Sequence, residues 1–419
     1  MISEHRPADP VDPPVTPSVV RRPARAHRSV VVRVGSAVTV SALALAGCSS
    51  GAPSSPGASS GPASSSEGSP SGSGSATSGV HVSGAPAPLA ALVSTLYAGG
   101  DLTHTSSPTA AKALTTRKAA TGSVDATAKV GSWMGTPVAV VTAGDDVTLA
   151  VGPTWKVVGG WWPSLGVPTP SLGGGPRWVL AIGSDARKGQ PLERTRADVL
   201  QVIGVDGKGG GGVMGMARDL WVPLSTGGKG KINSAMVFGG PRAQVSTVRS
   251  VTGLPLEGYV VLGFSGFKKI VDAEGGVPIV IPKTVVASHA KNLVIKAGAQ
   301  TLSGAEALAY ARERKTLPDG DFGRSRHQGE VILAAAIKAK LAGPIAIPSA
   351  LTSFSKVGKS NLSAEQILTF TAGLHQLSPL KVGRGVAQGA FGWAGQQSIV
   401  VLGNQARSLF AEFRDGNLS

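Results

Sequence analysis

The sequence predicts a layered α/β domain over 176–419, preceded by a smaller α+β domain over 89–172. Three observations predict it. Beyond Trp178, short apolar runs of strand length alternate with stretches of helical periodicity. Charged residues make up only 15% of the chain, yet they gather in short clusters beside those runs. The first quarter of the chain is set apart by its Ser, Gly and Pro content. With 419 residues and 42% apolar side chains, the chain is long enough for two domains with a sizeable core.

In chain order, residues 1–47 read first as an address. Arg21, Arg22, Arg25, Arg28 and Arg33 precede an uncharged apolar stretch from Val34 to Ala46, which is too short to span a bilayer as a helix. It ends in Leu45-Ala46-Gly47-Cys48, which resembles the lipobox of bacterial lipoproteins. That resemblance implies cleavage before Cys48, lipidation of its thiol, and a protein anchored on the outer face of the cell membrane. Cys48 is the only cysteine, so no internal disulfide forms and no thiolate cluster holds a metal. Residues 48–88 then read as the lipidated cysteine and a tether, too poor in apolar side chains to offset the entropy of ordering. As a coil this tether reaches about 35 Å.

In the smaller domain, Pro137–Ala143 and Val147–Val151 read as strands joined at Gly144-Asp145-Asp146. Trp155–Val158 adds a third strand, with Trp161-Trp162 covering the sheet. In the larger domain, Trp178–Ile182, Val199–Val205, Val213–Met216, Tyr259–Leu262 and Val277–Ile281 read as strands. Pro241 opens a helix that Gly253 closes. Phe264, Phe267, Ile270 and Val271 share one helical face. Ser303 and Glu306 form a capping-box pattern for a helix ending near Arg312, and a longer helix runs from about Gly323 to Leu341. Ser363–Leu377, Ser398–Leu402 and Ala406–Phe413 read as helix, strand and helix.

Net charge is +16, which favours anionic partners. The charged clusters are Asp185 with Arg187, Arg194 with Arg196 and Asp198, Arg218 with Asp219, Lys231, Arg312 with Arg314, and Asp321 with Arg324. Ligands of α/β sheets bind beyond strand ends, so such clusters can converge. An arginine fork donates two parallel hydrogen bonds to a phosphate. Asp185 and Asp198 are candidates to hold Mg²⁺, which uses few protein carboxylates. Bland readings stand beside these. Asp321 can simply cap the helix that follows it, Arg218 and Asp219 can form a surface ion pair, and Lys231 and Asn233 can fix a turn. Arg312 and Arg314 are two residues apart and reach one site only if their helix ends between them.

From Trp178 to Val331 the chain resembles the LytR-CpsA-Psr family. The matching blocks, in order, are GSDAR (183–187), RTRAD (194–198), ARD (217–219), KIN followed by GGP (231–241), and RER with DFGR (312–324). The resemblance implies a three-layer α/β/α domain around a mixed central sheet, with a core over 176–342 and a C-terminal extension. It implies a Mg²⁺-dependent phosphotransferase that moves a glycopolymer from a polyprenyl-pyrophosphate carrier to peptidoglycan through a phosphodiester bond, in an actinobacterial lipoprotein. By position, Asp185 and Asp198 match the Mg²⁺ carboxylates. Arg196, Arg218, Arg312, Arg314 and Arg324 match the pyrophosphate clamp. Arg218, Asp321 and Arg196 match the catalytic group, with an apolar tunnel for the lipid. His327 stands where the family has a second arginine, and its charge varies with pH if it faces the site. Three other functions compete: a pyrophosphatase, a non-catalytic binder of wall polymer, and a DNA-binding regulator. The export signal and the lack of a recognition-helix motif oppose nucleic acid as a partner.

Overall fold

The computed structural model describes residues 79–187 and 189–419. The expected signal peptide, Cys48 and most of the tether lie outside the described residues. The tether was expected to run to residue 88. The fold starts earlier, with β1 (Val80–Ser83) and α1 (Ala87–Tyr97). The stretch of alternating apolar residues in β1 is too short to stand out from its surroundings.

After α1 come α2 (Pro108–Leu114), β2 (Val124–Trp133), β3 (Thr136–Ala143), β4 (Asp146–Val151), β5 (Lys156–Trp162) and β6 (Val167–Ser171). The six strands form one sheet in sequence order, antiparallel except for the β1–β2 pair. The β3–β4 hairpin turns where the spacing predicts. Helices α1 and α2 bury Leu89, Val93, Leu96 and Leu114 against Trp155, Val157 and Trp162. Trp161 and Trp162 do not cover the sheet from outside. They are the last residues of β5, and strand alternation sends Trp162 into the α1–α2 core and Trp161 toward the opposite face.

Then follow β7 (Arg177–Ser184), β8 (Ala197–Val205), β9 (Gly211–Met216), the small hairpin β10 (Trp221–Pro223) and β11 (Lys229–Lys231), and α3 (Ser234–Thr252). Gly240, at φ 73° and ψ −171°, kinks α3. The helix expected to open at Pro241 is its second limb. Next come β12 (Gly258–Gly263), α4 (Phe264–Ala273), β13 (Val277–Ile281), β14 (Val285–Ala287), β15 (Leu293–Ile295), β16 (Gly298–Leu302), α5 (Gly304–Arg312) and α6 (Asp321–Leu341). The chain ends through α7 (Ile347–Ser355), β17 (Gly358–Ser360), α8 (Ala364–Gln376), β18 (Val382–Ala387), the hairpin β19 (Gly389–Ala394) and β20 (Gln397–Leu402), and α9 (Asn404–Glu412).

The central sheet has the order β17-β12-β7-β8-β9-β18 and is mixed, as expected. Strands β12 and β7 are parallel, as are β9 and β18, and the other three pairs are antiparallel. Strand β13 forms but pairs with β16 outside this sheet, which β18 completes instead. One face packs Leu180, Leu200, Val202 and Met214 under α3 and α9. On the other face Val179 and Val205 meet Ile347, Leu351, Ile367 and Leu368 of α7 and α8, together with Val138, Val140, Val147 and Leu149 of the first sheet. Helices α7 and α8 therefore sit between the two sheets. The layers run α/β/α/β/α, and the described residues form one compact unit.

Candidate active site

The site begins where β7 and β8 end together. The register slips between Gly183 and Ser184, and the Asp185 N–H donates to the Arg196 carbonyl at 3.0 Å. This slip places Asp185, just past β7, close to Asp198, the second residue of β8. Burial first, then the charge of Asp198, push the Asp185 carboxyl up, while Arg312, Arg187 and Arg218 pull it back. On the next strand, β9 ends at Met216 and the chain turns through Ala217-Arg218-Asp219, pinned by an Asn233 N–H to Arg218 carbonyl bond. Arg218 Nη1 meets Asp198 Oδ1 at 2.5 Å. Its Nε is buried and has no hydrogen-bond acceptor among the described residues. Burial works against the Arg218 cation, but Asp198, Asp219 and Asp321 outweigh it and hold the guanidinium charged.

Helix α6 supplies the opposite wall. Its first turn rests on the sheet because Gln201 of β8 donates to the Ser325 carbonyl at 2.9 Å. Gly215 of β9 makes the approach possible, since a Cβ there would stand 2.2 Å from Ser325 Oγ. This seat brings Asp321 and Arg324, both buried and ion-paired with each other, toward Arg218. Asp321 does not cap α6: Gly320 holds the N-cap position, and Asp321 opens the helix itself. Neither of its oxygens accepts an aligned hydrogen bond among the described residues. Burial above all, then Asp219, push its carboxyl up, against Arg324, Arg218 and Arg314.

Arg312 and Arg314 satisfy the condition set by their spacing. Helix α5 ends at Arg312, and Glu313 turns extended at φ −66° and ψ 134°. Arg314 Nη1 lies 3.9 Å from Asp219 Oδ2, while the Arg312 guanidinium sits 4.2 Å above the Phe264 ring. Asp219 proves to be a hub, also holding Lys231 at 3.0 Å. Glu313 was not singled out from sequence. It is 0% exposed, and its carboxylate accepts from the backbone N–H groups of Ser288, Arg314 and Thr316. A glutamate between two arginines carries no signal of burial in one dimension.

Of the expected clamp, the structure gathers Arg218, Arg314 and Arg324, with Arg312 at the Asp185 side. Arg196 adjoins Asp185 through its backbone carbonyl, which accepts the Asp185 N–H. Its side chain is exposed and forms no ion pair among the described residues. The expected metal carboxylates Asp185 and Asp198 do adjoin. No group of three or more His, Cys, Asp or Glu side chains suited to a metal ion occurs among the described residues. His327 does not face this cluster. It is buried, stacked on Tyr310 at 3.9 Å between centroids, and burial lowers its pKa. Beside Asp185 a cleft of about 240 Å³ opens between Ala186, Arg187 and Leu192 on one side and Phe264 and Lys269 on the other.

A cationic cleft with two flanking carboxylates, set at strand ends, suits a substrate with more than one phosphate. The chain is 37% identical over 164 residues to the polyisoprenyl-teichoic acid–peptidoglycan teichoic acid transferase TagV of Bacillus subtilis, a match covering 37% of this chain and 41% of that protein. It is 34% identical over 192 residues to the transferase of the same title, TagU, from Bacillus mycoides, covering 45% and 61%. The matched segments thus span about half the length of these relatives. The crystal structure of B. subtilis TagV superposes with a TM-score of 0.50 at 27% identity, covering 57% of this chain and 98% of that one. The model of the LytR_cpsA_psr family matches residues 168–408, more than half of the sequence and all of the cluster just described, and the chain belongs to that family.

Proposed function

We propose that this protein is a phosphotransferase that moves a glycopolymer from a polyprenyl-pyrophosphate carrier to a peptidoglycan hydroxyl. The observation that carries the reading is the meeting of Arg218, Arg314 and Arg324 with Asp198, Asp219 and Asp321 at one set of strand and helix ends. The acceptor hydroxyl oxygen bonds to the glycan-bearing phosphorus, and the bond from that phosphorus to the bridging oxygen breaks. Polyprenyl phosphate leaves, and a phosphodiester remains. Charge builds on the oxygens of both phosphates, where the guanidinium groups stabilise it without reorganising. Arg218 is held charged by Asp198, Asp219 and Asp321, so its cation is in place before the substrate arrives. Asp321, with its raised affinity for protons and no aligned donor among the described residues, takes the acceptor proton.

The donor set also fits Mg²⁺. Burial and the charge of Asp198 resist ionisation of Asp185, a cost that a cation shared by the two carboxylates removes. One or two carboxylates are the usual protein share of a Mg²⁺ shell, which waters and substrate phosphate oxygens would complete. When bound, the ion would neutralise charge on the departing phosphate. The same reading places the protein on the outer face of the membrane, anchored through Cys48, so Cys48→Ala should shift it to the soluble fraction. Unchanged membrane fractionation would remove the anchor from the reading.

The test combines purified full-length protein, a polyprenyl-pyrophosphate-linked glycan, Mg²⁺ and peptidoglycan, with phosphodiester-linked glycan as the readout. Arg218→Ala should lower turnover by roughly 10²–10³-fold, the usual cost of losing one donor to a developing oxyanion. No product from the wild type, or undiminished product from Arg218→Ala, would overturn the proposal. Carrier cleavage at the same rate without peptidoglycan would assign a pyrophosphatase instead.

A further inference from the structure

The hairpin β19–β20 packs against the site with its base and leaves its tip bare. At the base, the Val400 N–H donates to the Asp219 carbonyl at 2.9 Å, and Val400 bridges Leu220. The Phe391 ring lies 5.4 Å from that of Phe322, the neighbour of Asp321. Phe391 and Trp393 are two residues apart on one strand, so both rings project from the same face, roughly 7 Å apart along it. Yet Phe391 is 63% and Trp393 74% exposed. Gly389, Gly392 and Gly395 interleave with them and leave the rings uncovered. Ser398 stands opposite Trp393 across the pair, and Gln396 and Gln397 sit at the turn.

This surface is chemically unlike the cleft it adjoins. From Gln388 to Leu402 there is no charged residue. A face for anionic membrane lipid would carry lysines or arginines beside the aromatics. The pyrophosphate donor is already gripped by charge. The second substrate is a glycan, which needs a surface that takes sugar rings. Two bare rings flanked by a hydroxyl and amides match the apolar faces and hydroxyl edges of pyranose sugars. We infer that Phe391 and Trp393 form an acceptor subsite on which the glycan strand of peptidoglycan stacks while its hydroxyl reaches the phosphorus. The inference rests on the function proposed above.

The test uses full-length protein and two readouts. The first is direct binding of soluble, peptide-stripped peptidoglycan glycan strands, followed by calorimetry. The second is the transfer assay, with acceptor and donor concentrations varied separately. Trp393→Ala should weaken glycan binding and raise the acceptor KM by roughly tenfold, with Trp393→Phe recovering most of it. Affinity for a polyprenyl pyrophosphate should not change. Phe391→Ala provides a second variant at the same face. Unchanged glycan binding in both alanine variants overturns the inference, as does a rise confined to the donor KM. Loss of binding to anionic vesicles with glycan binding intact overturns it too, and makes the hairpin a membrane contact. If the wild type binds glycan through Trp393 but transfers nothing, the subsite stands and the transferase reading falls.

Discussion

At the scale of single residues, the cluster works through groups whose ordinary ionisation is disturbed in opposite directions. Asp185 and Asp321 are pushed toward protonation, above all by burial. Glu313 goes the other way. Burial alone would raise its carboxyl, but hydrogen bonds from Thr316, Ser288 and Arg314 outweigh that cost and lower its pKa to about 2. A folded-state pKa below the unfolded value of 4.5 makes the ionised group a source of stability. That stability is present above pH 4.5 and is lost as pH falls toward 2. It is spent on the loop that separates Arg312 from Arg314, so Glu313→Gln should lower stability at neutral pH and flatten the acid limb of the stability curve between about pH 4.5 and 2. Thermal unfolding of the two proteins across that window measures it. An acid limb of unchanged steepness in the variant would show that the carboxylate is not what fixes the loop. Arg218, Arg314, Arg324 and Asp321 were legible in sequence because each stands in a short charged block beside an apolar run. Asp219 and Glu313 were legible only as neighbours of arginines. Their roles depend on which strand lies alongside.

At the scale of elements, the site depends on how closely α6 lies on β8 and β9. The Gln201 side chain bonds to the α6 backbone, and Gly215 leaves no side chain in the way. The Ser325 oxygen would sit 2.2 Å from any Cβ at 215, and Gln201 Nε2 would sit at 2.9 Å. Gly215→Ala should therefore lift the first turn of α6, at a cost of about 1–3 kcal/mol in stability. The larger effect should be on turnover, because Asp321 and Arg324 ride on that turn. Substrate-saturated turnover falling far more than the melting temperature predicts is the expected outcome. A variant with wild-type turnover would mean that the helix tolerates the shift. Periodicity and caps made α4, α5, α6 and α8 legible. Strand β18 was not, because Val382–Ala387 alternates valine with glycine and arginine and carries no continuous apolar run. Its place beside β9 is set by that partner. Helix α7, with Pro348 near its start, has no place in the sequence reading, although its Ile347 and Leu351 seal the space between the two sheets.

At the scale of the molecule, the region over 80–171 is joined to the central sheet and its helices through a shared core. Val138, Val140, Leu149 and Val158 of the first sheet meet Ile347, Leu351, Ile367 and Leu368 from one side, and Val179 and Val205 meet them from the other. Trp133 completes the seam: its ring stacks on Phe354 at 5.4 Å, and its indole N–H donates to the Leu362 carbonyl at 2.9 Å. Arg177, the first residue of β7, bonds to Glu257 at 2.5 Å and donates to Thr369 and Gln366 of α8, tying the sandwiched helix to the central sheet. Sequence composition suggests a boundary near residue 172, because glycines at 173–175 interrupt the pattern. Contacts between residues far apart in the chain erase that boundary, and no local window reveals them. A chain lacking residues 80–171 would expose the apolar faces of α7 and α8 to water, at roughly 25 cal/mol for each Å² uncovered. Such a truncation should be insoluble or unfold well below the intact protein. The intact protein, for its part, should unfold in one cooperative transition by both circular dichroism and tryptophan fluorescence. Two separate transitions, or a soluble truncated protein with native stability and transfer activity, would show instead that the first sheet is an independent appendage. In the shared-core arrangement, the first sheet holds α7 and α8 against the back of β7 and β8, the two strands whose far ends present Asp185 and Asp198. Weakening its packing at Trp133 should therefore reach the active site without touching it.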